Sequence, residues 1–351
     1  MKKMPVRIGL VFLLLLALPF AALAADKAPA TQRDVTFLST SDCHYNYGKG
    51  EAHNAGNLET IRAMNAVTDI SWPDDLGGDR VKTPRGVVVL GDCIDDGDMA
   101  RDGVKISEEE NKVFLEQVGL DGTDGILRYP AFEGWGNHDG PPAGKEKNGF
   151  SFQAQIKQRN ITRKEKGLIK DISDSGMQYS WDWDDVHFVN LGINVADKQR
   201  AGIRYDPVWH DPQGALSFLK ADLAKNVGDS GRPVVLMAHM GMDTDWWVKE
   251  DWADFYNAVK QYNIVLYIYG HSGTGVRDWS PDDKAKKWFM INDGQTEAKF
   301  FVINLKGNQL RYGMRIKKFI PGKKTADGKE THVWNGEWLW EMTGKRDIPA
   351  K

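Results

Sequence analysis

The pattern of apolar and polar positions separates the first thirty residues from the rest. Lys2, Lys3 and Arg7 precede an apolar run from Ile8 to Leu23, and Ala22-Leu23-Ala24 supplies a small-x-small cleavage site. This is the pattern of a secretory signal peptide over residues 1–24, cut near Ala24/Ala25. The run is close to spanning length, so an uncleaved anchor is the alternative. Residues 25–33 read as a polar linker, and no later segment is apolar and long enough to cross a bilayer. The expected product is an exported, soluble protein, periplasmic or secreted, without a stable membrane anchor.

Beyond the linker, short buried runs alternate with amphipathic stretches. Asp34 to Leu38 (DVTFL) reads as a strand entering a polar loop at Ser39, and Asn57 to Ala66 as a helix. Gly86 to Leu90 (GVVVL) is continuously apolar, the mark of a strand covered on both faces. Ser107 with Glu110 three residues on makes a capping box that opens a helix to about Val118. Tyr129 to Trp135 is a strand candidate, and residues 140–176, rich in charge and glycine, read as a surface excursion carrying one helix. Met177 to Ile193 holds two strands joined by Asp184-Asp185. Asp211-Pro212 starts a helix with Leu216, Leu219 and Leu223 on one face. Pro233 to Ala238 and Ile264 to Tyr269 are buried strands around a helix at Trp252 to Val259. Trp288 to Ile316 alternates as antiparallel strands turning at Gly307-Asn308. The order predicts one α/β domain over 34–320, with 321–351 an extension packed on it or trailing.

Composition narrows the class. The 351 residues are 41% hydrophobic and 27% charged, enough for one large core and unlike collagen, coiled coil or disordered chains. A net charge of -3 shows no basic surplus of the kind nucleic-acid binders carry, so no nucleic acid is expected.

Five polar clusters each follow an apolar strand. They are Asp42-Cys43-His44, Gly91-Asp92-Cys93-Ile94-Asp95, Gly136-Asn137-His138-Asp139, His239 after VVLMA, and Gly270-His271 after IVLYIY. Loops at the carboxyl ends of strands are where α/β sheets build sites. Carboxylate, imidazole and amide oxygen suit zinc, manganese or iron. A bridging carboxylate can hold two ions roughly 3.5–4 Å apart, placed for a displacement at phosphorus. A water between them loses its proton near neutral pH and becomes a nucleophile, while an unligated histidine protonates the leaving alcohol.

In order and content these clusters resemble the calcineurin-like metallophosphoesterase superfamily, whose pattern is DxH, GDxxD, GNH(D/E), H and GHxH. The resemblance runs to about Gly273 and implies a sandwich of two mixed sheets flanked by helices. It implies that Asp42 and His44 bind a first transition-metal ion, divalent or trivalent. Asp92 then bridges, and Asn137, His239 and His271 bind a second. His138 matches the unligated acid and Asp95 the carboxylate that orients it; Asp139 is a supporting residue. One departure stands out, because Gly273 occupies the place of a second histidine on the first metal, which implies a more open site there. The implied activity is hydrolysis of a small phosphomonoester or phosphodiester, with a phospholipid head group among the candidate substrates. A nucleotide pyrophosphatase-type hydrolase and a metal-holding protein that has lost catalysis are the alternatives. Oligomeric state is not legible.

The remaining chemistry-bearing residues are given plainer roles. Cys43 and Cys93 read as small buried apolar residues, although export would permit a disulfide. His187 (VHFVN) reads as a satisfied core histidine, His210 as structural and His332 as a bystander, while His53 is a candidate to overhang the site. Most of the thirteen tryptophans read as packing, with Trp135, Trp246, Trp247 and Tyr45 close enough to the motifs to wall a pocket. Trp334, Trp338 and Trp340 read as covering a sheet, and no basic patch is read beside them.

Overall fold

The computed structural model describes residues 33–48, 51–97, 99–140, 150–199, 210–242, 247–282, 284–324 and 330–349. The proposed signal peptide and Trp246 lie outside the described residues. The first half of the chain runs β1 (Asp34–Thr40), α1 (Glu51–Asn65), β2 (Val87–Val89), β3 (Ala100–Arg101), β4 (Val104–Lys105), α2 (Ile106–Val118), β5 (Ala131–Glu133) and α3 (Phe152–Glu165). Next come β6 (Asp171–Ile172), β7 (Tyr179–Trp183), β8 (Val186–Asn190), α4 (Ala215–Asn226), β9 (Pro233–Met237), α5 (Lys249–Val259) and β10 (Asn263–Tyr269). The β-rich end comprises β11 (Thr274–Trp279), β12 (Trp288–Asp293), β13 (Lys299–Lys306), β14 (Gln309–Lys324) and β15 (Glu330–Asp347).

Apart from β3 and β4, which pair with each other, these strands form two mixed sheets, flanked by five α-helices among the described residues. One sheet has the order β15-β14-β13-β1-β2-β5 and the other β11-β12-β10-β9-β8-β7-β6. In the first, β1, β2 and β5 are parallel; in the second, β8, β9, β10 and β12 are parallel. The sheets pack face to face through one apolar cluster that takes Val35, Phe37 and Phe301 from the first and Trp181, Phe188 and Ile268 from the second. A second cluster seats the helices on the outer faces through Ile61, Phe114, Ile156, Leu219 and Phe255. Strands covered on both faces must be apolar throughout, which is why β2 and β9 are buried at every position.

Several boundaries differ from the sequence pattern for identifiable reasons. Ser107 does not cap α2: Lys105 holds the cap position without a side-chain bond. Ser107 Oγ instead donates to Asp96 O (2.8 Å) and accepts from Met99 N (2.6 Å), while Glu110 accepts from Asp96 N (2.9 Å). Both halves of the expected box thus brace the loop after Asp95. Helix α4 begins at Ala215 because Gly214, at φ 78, closes the turn that Asp211 and Pro212 form. The excursion at 140–176 is not purely superficial, since α3 plants Arg159 and Arg163 on the buried Glu133 of β5. The C-terminal segment pairs along β14 as an edge strand, β15.

Candidate metal centre

The parallel strands β1, β2, β5, β9 and β10 end at one edge of the sandwich, and each is followed within four residues by a candidate ligand. The eight sequence-predicted residues are brought together there: Asp42, His44, Asp92, Asp95, Asn137, His138, His239 and His271. Three sets of potential ligand atoms each fall within 4.8 Å of one another: Asp42, His44 and Asp92; Asp92, His239 and His271; and His44, Asp95 and His138. Asp42, His44, Asp92 and His271 also have positive φ (52°, 43°, 47° and 67°), half of the eight non-glycine residues that do so among the described residues. Left-handed backbone is costly for such residues and collects at sites where side-chain aim matters more than local comfort.

Asp92 is the pivot. Its Oδ2 lies 3.7 Å from His44 Nε2 and 3.3 Å from His239 Nε2, while Oδ1 accepts the His138 N–H at 2.8 Å. One carboxylate oxygen therefore faces an imidazole of each set. Burial pushes this carboxyl up, but the imidazoles of His239, His44 and His138 outweigh it and hold Asp92 well below the usual range. Gly136 is required beside it, because a Cβ there would stand 2.2 Å from Asp92 Oδ1.

The other ligand candidates are fixed by backbone groups. Asp42 Oδ2 accepts the His271 N–H (3.0 Å) and the Ser41 hydroxyl. Burial raises the Asp42 carboxyl, opposed mainly by His239. His239 Nδ1 sits 2.6 Å from Leu90 O, which turns Nε2 toward Asp92 and toward Asn137 Oδ1 at 3.1 Å. Burial lowers its pKa, yet Asp92 and Asp42 carry it up to about 9. For His271, burial and the neighbouring His239 act together and bring it down to about 4. Gly273 has φ +91 and nothing within 4 Å of a built Cβ, so the place of the family's second histidine is open and its backbone disfavours any larger residue.

Asp95 serves two histidines. Its Oδ1 lies 3.0 Å from His44 Nδ1 and 3.4 Å from His138 Nδ1, and Oδ2 accepts from Asn46 Nδ2 at 2.8 Å. Fixing Nδ1 of His44 leaves Nε2 to face Asp42 and Asp92. His138 is the most exposed of these histidines, at 45%. Burial would lower its pKa, but Asp95 and Asp92 lift it to about 10.

Three further residues support the site, and of these Asp293 alone escaped the motif search. Asp139 joins two loops by accepting from Ile94 N (2.9 Å) and Gly136 N (2.7 Å). Asp293, fully buried at the end of β12, accepts from Ser39 Oγ at 2.6 Å and is pushed up to about 8 by burial. Its only sequence signal is a carboxylate ending an apolar strand. His53 does border the site: its Nε2 is 2.8 Å from Cys43 O, its Nδ1 is 2.5 Å from Glu297, and its ring centre is 6.4 Å from that of His44.

The plainer assignments fall as follows. Cys43 and Cys93 are free and buried, so no disulfide joins them. Trp135 and Tyr45 are wholly buried and wall no opening, and Trp247 is also buried. His187 is in the core between two carboxylates. His332 sits on the exposed hairpin opposite Pro321.

Comparison with known proteins identifies a family. The calcineurin-like phosphoesterase model matches residues 35–274. Among solved structures, GAP50, titled the anchor in the inner membrane complex of Plasmodium, is 14% identical with a TM-score of 0.50, over 91% of this chain and 90% of that one. TT1561 of Thermus thermophilus is 13% identical with a TM-score of 0.41, over 80% and 98%. Vacuolar Protein Sorting 29 of Cryptosporidium parvum is 10% identical with a TM-score of 0.30, over 88% and 100%. The GAP50 likeness bears on fold alone. No curated protein matches the sequence.

Proposed function

Because the chain belongs to the calcineurin-like phosphoesterase family, we propose that it is a metal-dependent hydrolase of small phosphate esters with a dinuclear centre. The observation that carries this reading is the position of Asp92 Oδ2 between His44 and His239, as a bridging carboxylate requires. The donor set fits transition metals, with buried carboxylates, imidazole nitrogens and the Asn137 amide oxygen gathered within reach of one another. Asp42 and His44 would hold one ion, Asn137, His239 and His271 the other, and Asp92 both. Bound there, two ions would supply Lewis acidity and an activated water at neutral pH.

The chain's own residues do the remaining work. His138, exposed and 3.4 Å from Asp95, would give a proton to the leaving oxygen. Asp95 positions both His138 and His44. Metal-reconstituted turnover on paired generic mono- and diesters, with an anhydride in the same panel, tests the reading. Hydrolysis of an ester supports it, anhydride-only turnover assigns the pyrophosphatase alternative, and no turnover by fully metallated protein sinks it. We also propose export with cleavage near Ala25, on the basic start, apolar run and small-residue site. N-terminal sequencing that recovers Met1 from cytosol would defeat that part.

A further inference from the structure

The β14–β15 hairpin is much longer than the sheet that carries it. The last row shared with β13 is Ile316 opposite Lys299; beyond Lys317, whose N–H still reaches Ala298 O at 3.0 Å, β14 pairs with β15 alone among the described residues. Eight large apolar residues are exposed among those described, and five of them lie on this hairpin: Phe319, Ile320, Val333, Leu339 and Met342. Monomeric surfaces scatter such residues singly, and a concentration of them marks a contact surface.

The distribution narrows the occupant. Phe319 stands opposite Trp334 and Ile320 opposite Val333, so adjacent cross-strand pairs put apolar side chains on both faces of the ribbon at the same height. Their exposures are high, 46% for Phe319, 41% for Ile320 and 53% for Val333. A protein partner covers one face or one edge. Edge pairing with a second copy is further disfavoured by register breaks at Tyr312/Met314, Lys317/Phe319 and Pro321/Lys324, since bulges are how sheets blunt an edge. Charge points the same way: with Lys317 buried at the base and Lys318 paired with Glu337, Lys323 and Lys324 outnumber Glu330 on the described ribbon, in a chain whose net charge is -3. The hairpin sets Lys317 Nζ over the rings of Trp334 and Trp338, 5.0 and 5.6 Å from their centroids, and carries Lys323 and Lys324 further out, where Lys324 stands opposite Glu330.

We propose that this ribbon is an interfacial docking element for an anionic phospholipid surface. At head-group depth, apolar side chains on both faces leave water, the Trp334 ring finds its preferred boundary, and the stems of Lys323 and Lys324 lie along the ribbon with their charges against phosphates. The ribbon is also joined to the candidate centre. At its base Lys317 Nζ donates to Gly56 O (2.8 Å) and Glu297 O (2.6 Å), and Glu297 holds His53 beside His44. Docking would hold the mouth of the centre near the membrane plane. The inference stands on the ribbon and is independent of the hydrolase reading.

Vesicle flotation of the processed chain tests it, comparing phosphatidylglycerol-containing with pure phosphatidylcholine vesicles. The expected result is at least about tenfold stronger partitioning to the anionic vesicles, reduced about tenfold by Phe319→Ser/Ile320→Ser/Val333→Ser and by Lys323→Glu/Lys324→Glu. Thermal melting confirms that each variant is folded, and turnover of a soluble ester in the same samples tests the centre separately from the ribbon. Equal partitioning to both vesicle types, or undiminished binding by either variant, overturns the proposal. So does a dimer in vesicle-free buffer that the triple serine variant converts to monomer without any vesicle binding.

Discussion

Among the described residues, histidine meets buried carboxylate in two places, and the contrast separates a candidate ligand from a structural residue. His187, on regular strand β8, has Nδ1 2.7 Å from Asp182 and Nε2 2.6 Å from the buried Asp222. The other carboxylate oxygens accept from Lys170, Ser180 and Asn226, and Arg232 donates to the same Asp182 oxygen that faces His187. At the strand-end site the separations of His44 and His239 from Asp92 are 3.7 and 3.3 Å, the loops sit at positive φ, and one carboxylate oxygen faces two imidazoles without a close bond to either. The first region is closed on itself. The second leaves its members further apart, as the proposed metal centre requires.

The largest expected effect follows from Asp92. Asp92→Asn removes the charge that both halves of the centre share, so it should lower metal occupancy more than any other ligand change and reduce turnover to background. Elemental analysis beside activity checks it; full metal retention would make the two regions more alike than the geometry says. His138→Ala should instead cut turnover by roughly 10²–10⁴ while metal content holds. The deficit should shrink for good leaving groups such as nitrophenolate, and an equal deficit for good and poor leaving groups would remove its role as acid.

The third change addresses the closed region. His187→Ala leaves Asp222 buried without its cation and should cost about 3–5 kcal/mol of stability, with metal content and turnover of the folded protein unchanged. Loss of metal on this change would erase the distinction. A smaller effect follows from titration. Burial lowers the His187 pKa, but hydrogen bonds to Asp182 and Asp222 outweigh it and raise the folded value. The stability contributed is therefore complete below the unfolded value of about 6.5 and is lost as pH rises through the folded one. Urea unfolding from neutral to alkaline pH should show that decline in the wild type and a flatter profile in His187→Ala.

What the sequence made legible is local. The five clusters are runs of adjacent residues behind apolar strands, so their order could be read directly, and the two-sheet architecture followed from the family resemblance that the order carries. Asp293, the Glu133–Arg159–Arg163 cluster and the His53–Glu297–Lys317 chain depend on contacts between residues far apart in sequence, which no periodicity records. Ser107 and Glu110 show the converse: a correct local pattern was overridden because the loop after Asp95 offered both side chains better partners. The docking ribbon was hidden for the same reason, with its lysines and tryptophans on different strands.

Metal stoichiometry is the most direct test of the bridging role given to Asp92. Elemental analysis of metal-saturated wild-type protein should plateau at about two transition-metal ions per chain, since the ligands divide into two sets that share one carboxylate. A plateau near one ion per chain, reached without loss of fold, would contradict it.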